Sequence, residues 1–535
     1  MTRNILAFCI AGWTAVAVPA TLRAPGKGPE VKIASGIVRG AIPHSLPQGG
    51  AFLGIPFAAQ PVGSLRWRPP QPAPHWNGVR ETTTWGPACP QRPSGWLPEM
   101  LGIRQMRTNE ACLYLNVWTP NLHPARKLPV YVWVHGGGNV EGSGEWPPLG
   151  PTLARTGMVV VSFNYRLGAF GFFAYPALDG ESREHASGNY GLLDQIAALG
   201  WVRRNIAEFG GDPSRITIGG QSSGSEDVCL LMASPLAAGL FEGAILESGT
   251  CVDSVYPKLP VEEKSGERLA HDLGVSSGPG ALAKLRAIPA DRILQTAAAD
   301  GKVDLEPNVD GWVFREQPAI TFARGQQAPV PVLLGTNEDE VSIFASPLVS
   351  GHAYRPKTLA EYHAWLKGEF GKLVGQVFAA YPARNNTQVP GVFRTMFSDY
   401  DFAFSAWLLA KETALTGKPA FLYRFTYVGL GPFAKLGAFH AEELMFLSRH
   451  YWTTWISRPS DAVLSRTLVS YWSRFIKTSN PNGQGLPVWP KYHGAHGLCQ
   501  QLGTHVGPET VPRVRKFELF NEFLQSRLRE ASRSN

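Results

Sequence analysis

An α/β fold with a large, mostly parallel central sheet flanked by helices on both faces is predicted by three observations. Apolar β-like runs alternate with helix-periodic segments through the first two thirds of the chain. Several of these runs are apolar without interruption, the pattern of strands buried on both faces rather than one. Three of them end in HGGG, GGQSSG and TNEDE, at the carboxyl edge where parallel sheets gather their chemistry.

Taken in order, LPVYVWVHGGG (128–138) predicts a buried strand running into glycines, and GMVVVSFNYR (157–166) a second strand. NYGLLDQIAALGWVRRNIAEFG (189–210) predicts a helix, because Leu192, Ile196, Leu199 and Val202 share one face at a 3.6-residue period. SRITIGG (214–220) is strand again, EDVCLLMAS (226–234) helix, FEGAILES (241–248) strand, and APVPVLLGTN (328–337) a later, fully apolar strand. After RVRK (513–516), Phe517, Phe520, Leu524 and Leu528 recur at helical spacing, which predicts a docked C-terminal helix rather than a membrane-binding one. Cys229 falls in the apolar helical stretch and is expected as a buried thiol.

Composition narrows the possibilities. Across 535 residues there is no linker-like tract or fixed-period repeat, so one domain over 25–535 is expected. With 44% apolar and 17% charged residues the chain suits a large covered core and not disorder. The formal charge of +8 is spread out, with no run of five basic residues, so a nucleic-acid partner is not expected. The first 24 residues differ from the rest: Arg3, an apolar run over 5–18, then Ala15-Val16-Ala17. That run is short for a membrane span and ends in an A-x-A-like site, which predicts a signal peptide cleaved between about 17 and 24. The mature protein is therefore expected to be exported, periplasmic or secreted, with no stable membrane anchor.

The chemistry centres on Gly220-Gln221-Ser222-Ser223-Gly224, a G-x-S-x-G sequence between a predicted strand and a predicted helix. A tight strand-to-helix turn lifts a serine hydroxyl clear of the sheet, and the flanking positions must be small. The three glycines of HGGGN (135–139) let backbone N–H groups converge without side-chain obstruction, as an oxyanion hole requires. A serine needs a base, and near neutral pH that base is histidine. Spacing alone does not select among 13 histidines, although His440 in LGAFHAEELMF lies late in the chain before a helix-like segment. Glu338, Asp339 and Glu340 crowd a strand end as candidate acids and stay unresolved among themselves.

These residues resemble the type-B carboxylesterase family, which includes cholinesterases and bile-salt lipase. The resemblance runs from about residue 32 to about residue 503. FLGIPFAAQPVGSLRWRPPQP (52–72), EACLYLNVWTP (110–120), NYRLGAFGFF (164–173) and the long stretch 187–224 carry it. NVDG (308–311), GTNEDE (335–340), GAFHAEEL (437–444) and YWSRFIKTSNPNGQGLPVWP (471–490) continue it. It implies an α/β-hydrolase fold and a serine carboxylesterase acting on a small-molecule ester through an acyl-enzyme, with no cofactor and no metal. It also implies Ser222 as nucleophile, Glu340 as acid and His440 as base, with Gly137, Gly138 and Ser223 supplying the oxyanion donors. Gln221 and Ser248 take supporting places, and Cys89 and Cys112 correspond to the family's first disulfide.

The sequence also departs from the family pattern. Gln221 stands where the family usually has Glu, Ser223 where it usually has Ala, and Ser225 where glycine or alanine is common. Val341 replaces the usual glycine after the acid, and the family's second disulfide is expected to be missing. Loss of the carboxylate beside Ser222 removes a charge that would favour cationic substrates, so cholinesterase specificity is not expected. Trp96 falls near the place of the cholinesterases' cation-binding tryptophan, on a loose alignment. Two alternatives stay open at this level: hydrolysis of another acyl bond (lactone, amide, or a bulky toxin or polyester ester), and a non-catalytic binding member of the same fold.

Overall fold

The computed structural model describes residues 28–92, 106–299, 305–344, 356–430, 433–449, 458–494 and 497–533. Residues 1–24, expected as a signal peptide, and Trp96 lie outside the described residues. In chain order the first strands are β1 (Glu30–Ile33), β2 (Gly36–Arg39), β3 (Gly50–Pro56), β4 (Val79–Glu81), β5 (Tyr114–Thr119), β6 (Leu128–Val134) and β7 (Val159–Phe163). They are followed by β8 (Gly211–Gln221), β9 (Gly243–Glu247), β10 (Val332–Asn337), β11 (Ala420–Phe425), β12 (Leu498–Leu502) and β13 (Val506–Thr510). Strands β1, β2 and β4 form a small sheet; the other ten form one sheet in the order β13-β12-β11-β10-β9-β8-β6-β7-β5-β3.

From β12 across to β7 all neighbours are parallel, and antiparallel pairs occur only towards the two edges, β12 with β13 at one and β7 with β5 and β5 with β3 at the other. Strands β7, β9 and β10 are buried along their whole length, as the unbroken apolar runs predict. In β6, Val130, Val132 and Val134 face one core with Leu192, Leu199 and Val202 of the helix Tyr190–Asn205. Tyr131 and Trp133 face the other, with Trp472 and Phe475 of the helix Pro459–Thr478. Each fully buried side chain of this kind stabilises by about 1.5–3 kcal/mol, which is why alternation is absent from these strands.

Element boundaries differ from the sequence expectation where one residue changes the backbone. The helix after β8 begins at Ser223, not at 226, because the chain passes from strand to helix within Ser222. The C-terminal helix Val514–Arg533 is docked as expected, with Phe517, Phe520, Leu524 and Leu528 buried. Phe520 stacks on Phe370 and Tyr381 at centroid distances of 5.8 and 5.9 Å. Among the described residues no helix is long and apolar enough to cross a membrane.

Cys89 and Cys112 are joined, as the resemblance implies. Closing a loop of this length stabilises by roughly 3 kcal/mol. The expectation of a buried thiol at Cys229 is overturned: Cys229 and Cys251 form a second disulfide, with Cα atoms 5.6 Å apart. Helical periodicity reports that Cys229 faces inward; it carries no information about the chain crossing that face after β9. Cys499 is the remaining free thiol among the described residues, buried and pushed up to about 12 by burial first and the Glu509 charge second. It is no nucleophile in that state.

Candidate active site

Gly220-Gln221-Ser222-Ser223-Gly224 closes β8 and opens the helix Ser223–Ala233. Ser222 has φ 58° and ψ −134°, an uncommon conformation for a residue with a side chain. The surroundings hold it there. Ser222 N donates to Glu247 O on β9 (2.9 Å), and Ser222 O accepts from Ser225 N (2.8 Å) and Glu226 N (3.0 Å). A Cβ at Gly220 would lie 2.3 Å from Gly224 O, and one at Gly224 would lie 2.4 Å from Val134 O. Only glycine allows the strand end, the helix start and β6 to approach this closely.

The three candidate acids have separate fates. Glu338 pairs with Arg424 and Arg513, and Asp339 accepts from Ala438 N. Glu340 opens a short 3-10 turn after β10 and meets the imidazole, with Glu340 Oε2 2.6 Å from His440 Nδ1. Its other oxygen accepts from Asn337 N (2.7 Å). Glu340 is fully buried and His440 nearly so. The carboxylate at Nδ1 assigns the ring proton there, which leaves Nε2 as an acceptor. That acceptor is occupied by Gln221, whose Nε2 lies 2.9 Å from His440 Nε2. The imidazole is thus bonded to the residue before Ser222, while Ser222 itself is half-buried at the turn.

Rings enclose the imidazole. Phe344 and Phe402 stand 5.0 and 5.2 Å from it, centroid to centroid. Phe402 and Asp401 come from a π-helical turn, Asp399–Ala403. Sequence reasoning missed both, because DYDFAFS differs in no local signal from ordinary helix. Burial pushes Asp401 up to about 6; the nearby His440 opposes that shift, and Glu340 and Glu369 add to it. Burial first and the Glu340 charge second also push Glu443 up.

The loop after β6 lies against the elbow from the other side. A Cβ at Gly136 would sit 2.4 Å from Gln221 O and 3.1 Å from Ser222 Cβ. Gly137 and Gly138 follow with φ 115° and 63°. Among the described residues, no backbone acceptor takes the N–H of Gly137, Gly138 or Ser223. Ser248 is fully buried with φ 54°, and its hydroxyl has no hydrogen-bond partner among the described residues. Among those residues no group of three or more His, Cys, Asp or Glu is arranged to hold a metal ion.

Phe344 and Phe402, whose rings pack on His440, also line a cavity of about 880 Å³ together with Asp401; His440 and Ser222 themselves are not among its lining residues. Farther out it is lined by Trp365, Tyr400 and Arg527 among others. The arrangement joins a serine on a strained turn, a buried carboxylate–imidazole pair and a set of amide donors that no backbone acceptor takes among the described residues.

Comparison with known proteins agrees with this chemistry. The sequence profile described as the Carboxylesterase family matches residues 27–517. The chain is 36% identical over 466 residues to a fumonisin B1 esterase from Sphingopyxis macrogoltabida, covering 85% of this chain and 84% of that protein. It is 33% identical to carboxylesterase 1D of Rattus norvegicus, covering 84% of each. Among solved structures, a PNB esterase superposes with a TM-score of 0.80 at 31% identity, covering 92% of this chain and 99% of that one.

Proposed function

On the premise that this chain belongs to the carboxylesterase family and is a carboxylic-ester hydrolase of the α/β-hydrolase fold, we propose that it works through an acyl-enzyme on Ser222. His440 Nε2 exchanges its Gln221 partner for the Ser222 hydroxyl and takes the proton as the oxygen attacks the ester carbonyl. Glu340 orients the ring and stabilises the imidazolium that forms. The N–H groups of Gly137, Gly138 and Ser223 hold the charge of the tetrahedral intermediate. The imidazolium returns its proton to the leaving alcohol, and water repeats the sequence on the acyl group.

The observation that carries this reading is the 2.6 Å Glu340–His440 bond, formed by residues 100 positions apart and lying directly beside the Ser222 turn. The test is labelling with an organophosphonate followed by mass spectrometry. One adduct is expected on the peptide holding Ser222, with no label and no ester turnover in Ser222→Ala. Turnover retained in that variant places the nucleophile elsewhere, and a folded wild-type protein that takes no label supports a binding member instead.

Phe344 and Phe402 connect the His440 ring to the cavity of about 880 Å³, and a bulky ester with a group entering that cavity is favoured over a short one. Hydrolysis of a graded series of p-nitrophenyl esters, with fumonisin B1 assayed beside them, tests this; kcat/KM greatest for acetyl would overturn it. Export belongs to the same proposal and rests on the apolar run after Arg3. N-terminal sequencing of the mature protein should begin between about 18 and 25, and an intact Met1 on exported protein would refute cleavage.

A further inference from the structure

The loop that follows β6 holds three successive residues at positive φ: Gly137, Gly138 and Asn139, the last at 58°. The left-handed region is costly for residues other than glycine, with asparagine among the more tolerant, and a loop built this way relaxes unless its surroundings fix it. What fixes it here is Asn139. Its N–H donates to Ser223 Oγ (3.1 Å), and its carbonyl accepts from Gly168 N (2.7 Å). Its Nδ2 donates to Asp227 Oδ1 (3.1 Å), and its Oδ1 accepts from the Tyr165 hydroxyl (3.2 Å). All four polar groups of one side chain and its backbone are engaged, and Asn139 is buried.

The partners are themselves held. Asp227 Oδ2 accepts from Gln195 Nε2 (2.5 Å), and the single Tyr165 hydroxyl proton is shared between Asn139 Oδ1 and His135 O (2.8 Å). Asp227, Gln195 and Tyr165 are fully buried. Ser223 and Asp227 stand four residues apart on the helix Ser223–Ala233, one turn above the other. The same helix therefore presents the Ser223 N–H and grips the loop that presents the N–H groups of Gly137 and Gly138.

We infer that Ser223 and Asp227 are positioning residues that, through Asn139, lock the oxyanion loop to the nucleophile helix. The inference rests on the reading of Gly137, Gly138 and Ser223 as oxyanion donors. Ser223 then has two functions in two different atoms: its amide N–H donates to the oxyanion, and its hydroxyl keeps the opposite donors in register. An alanine at 223 retains the first and loses the second, leaving the Asn139 N–H without its acceptor. Oxyanion donors act only when aimed within a few tenths of an ångström of the developing charge, so a loosened loop affects the transition state more than substrate binding.

The experiment compares Ser223→Ala, Ser223→Thr and Asp227→Asn with wild type, measuring kcat, KM and the affinity of a trifluoromethyl ketone against that of the matching methyl ketone. Ser223→Ala is expected to lower kcat about 10-fold with KM within about two-fold, and to weaken the trifluoromethyl ketone by the same factor as kcat. Ser223→Thr, which keeps a hydroxyl, should restore most of the loss, and Asp227→Asn should fall between. A merely structural role would lower the melting temperature and leave the KM-against-kcat split unmoved. If Ser223→Ala does not fold, the same measurements on Asp227→Asn decide. Variants with kcat and ketone affinity unchanged overturn the lock. A wild-type protein that binds both ketones equally overturns the oxyanion reading instead.

Discussion

The two halves of the site are built by different means. Around Ser222, position is set by backbone against backbone: an added Cβ at Gly136, Gly220 or Gly224 would strike a carbonyl at 2.3 to 2.4 Å. Around His440, position is set by side chains, through Glu340 on one ring nitrogen, Gln221 on the other, and two aromatic rings. Steric construction has one solution and little tolerance. A hydrogen-bonded assembly can exchange partners, and the proposed mechanism requires His440 to do so to reach Ser222. The difference sets a sterically fixed half, around Ser222 and the glycine loop, against a hydrogen-bonded half around His440 whose partners can change.

Substitutions can break or sharpen that contrast. The largest effect is expected from Glu340→Gln, which should lower kcat by about 10⁴-fold with little change in melting temperature, because a side-chain-built half loses orientation and not its fold. Steady-state kinetics and thermal unfolding on one preparation check it; a large stability loss would erase the distinction. Next comes Gly224→Ala. Its Cβ would meet the carbonyls of Val134 and His135 at 2.4 and 2.6 Å, so activity should fall about 10²-fold together with a stability loss of about 1–3 kcal/mol. A fully active, equally stable variant would show that the elbow yields more than its geometry implies.

Gln221→Glu probes the exchangeable bond. A carboxylate beside His440 Nε2 favours the protonated ring, so the acid limb of kcat/KM should move to higher pH by about one unit, with rates converging on wild type in the alkaline range. Superimposable pH profiles would remove Gln221 from the base's environment.

The smallest effect is expected away from the site, at Glu412. Burial pushes this carboxyl up to about 8, with Lys411 opposing, and Oε2 has no hydrogen-bond partner among the described residues. The folded protein therefore keeps a proton that the unfolded chain has released above about pH 4.5. Stability from this group declines as pH climbs from there towards 8. Glu412→Gln should raise the melting temperature at pH 8.5 by a few degrees, with little change at pH 4 and unaltered kcat. No gain at pH 8.5 would place that side chain in contact with water.

The contrast also marks how much could be read in advance. Uninterrupted apolar runs such as 128–134 identified interior strands, because burial on both faces removes alternation, a local property. The elbow and HGGG were legible for the same reason: glycines required by close backbone approach are written at fixed places in the chain. The choice of Glu340 over Glu338 and Asp339 came from resemblance, since three adjacent carboxylates look alike until Arg424, Arg513 and Ala438 N claim the other two. The Cys229–Cys251 bond and the placing of Asp401 and Phe402 beside His440 had no local signal.

By itself, then, the order of residues determined the layered sheet, the strand-to-helix turn at Ser222 and the glycine loop after β6, because these follow from backbone sterics and short-range periodicity. The tertiary structure decided which acid meets His440, that Gln221 rather than Ser222 rests against it, and that Asn139 ties the loop to Ser223 and Asp227. Those bonds join residues 84 to 219 positions apart, and short-range pattern carries no information about which distant groups the packing of helices on the sheet brings within 3 Å.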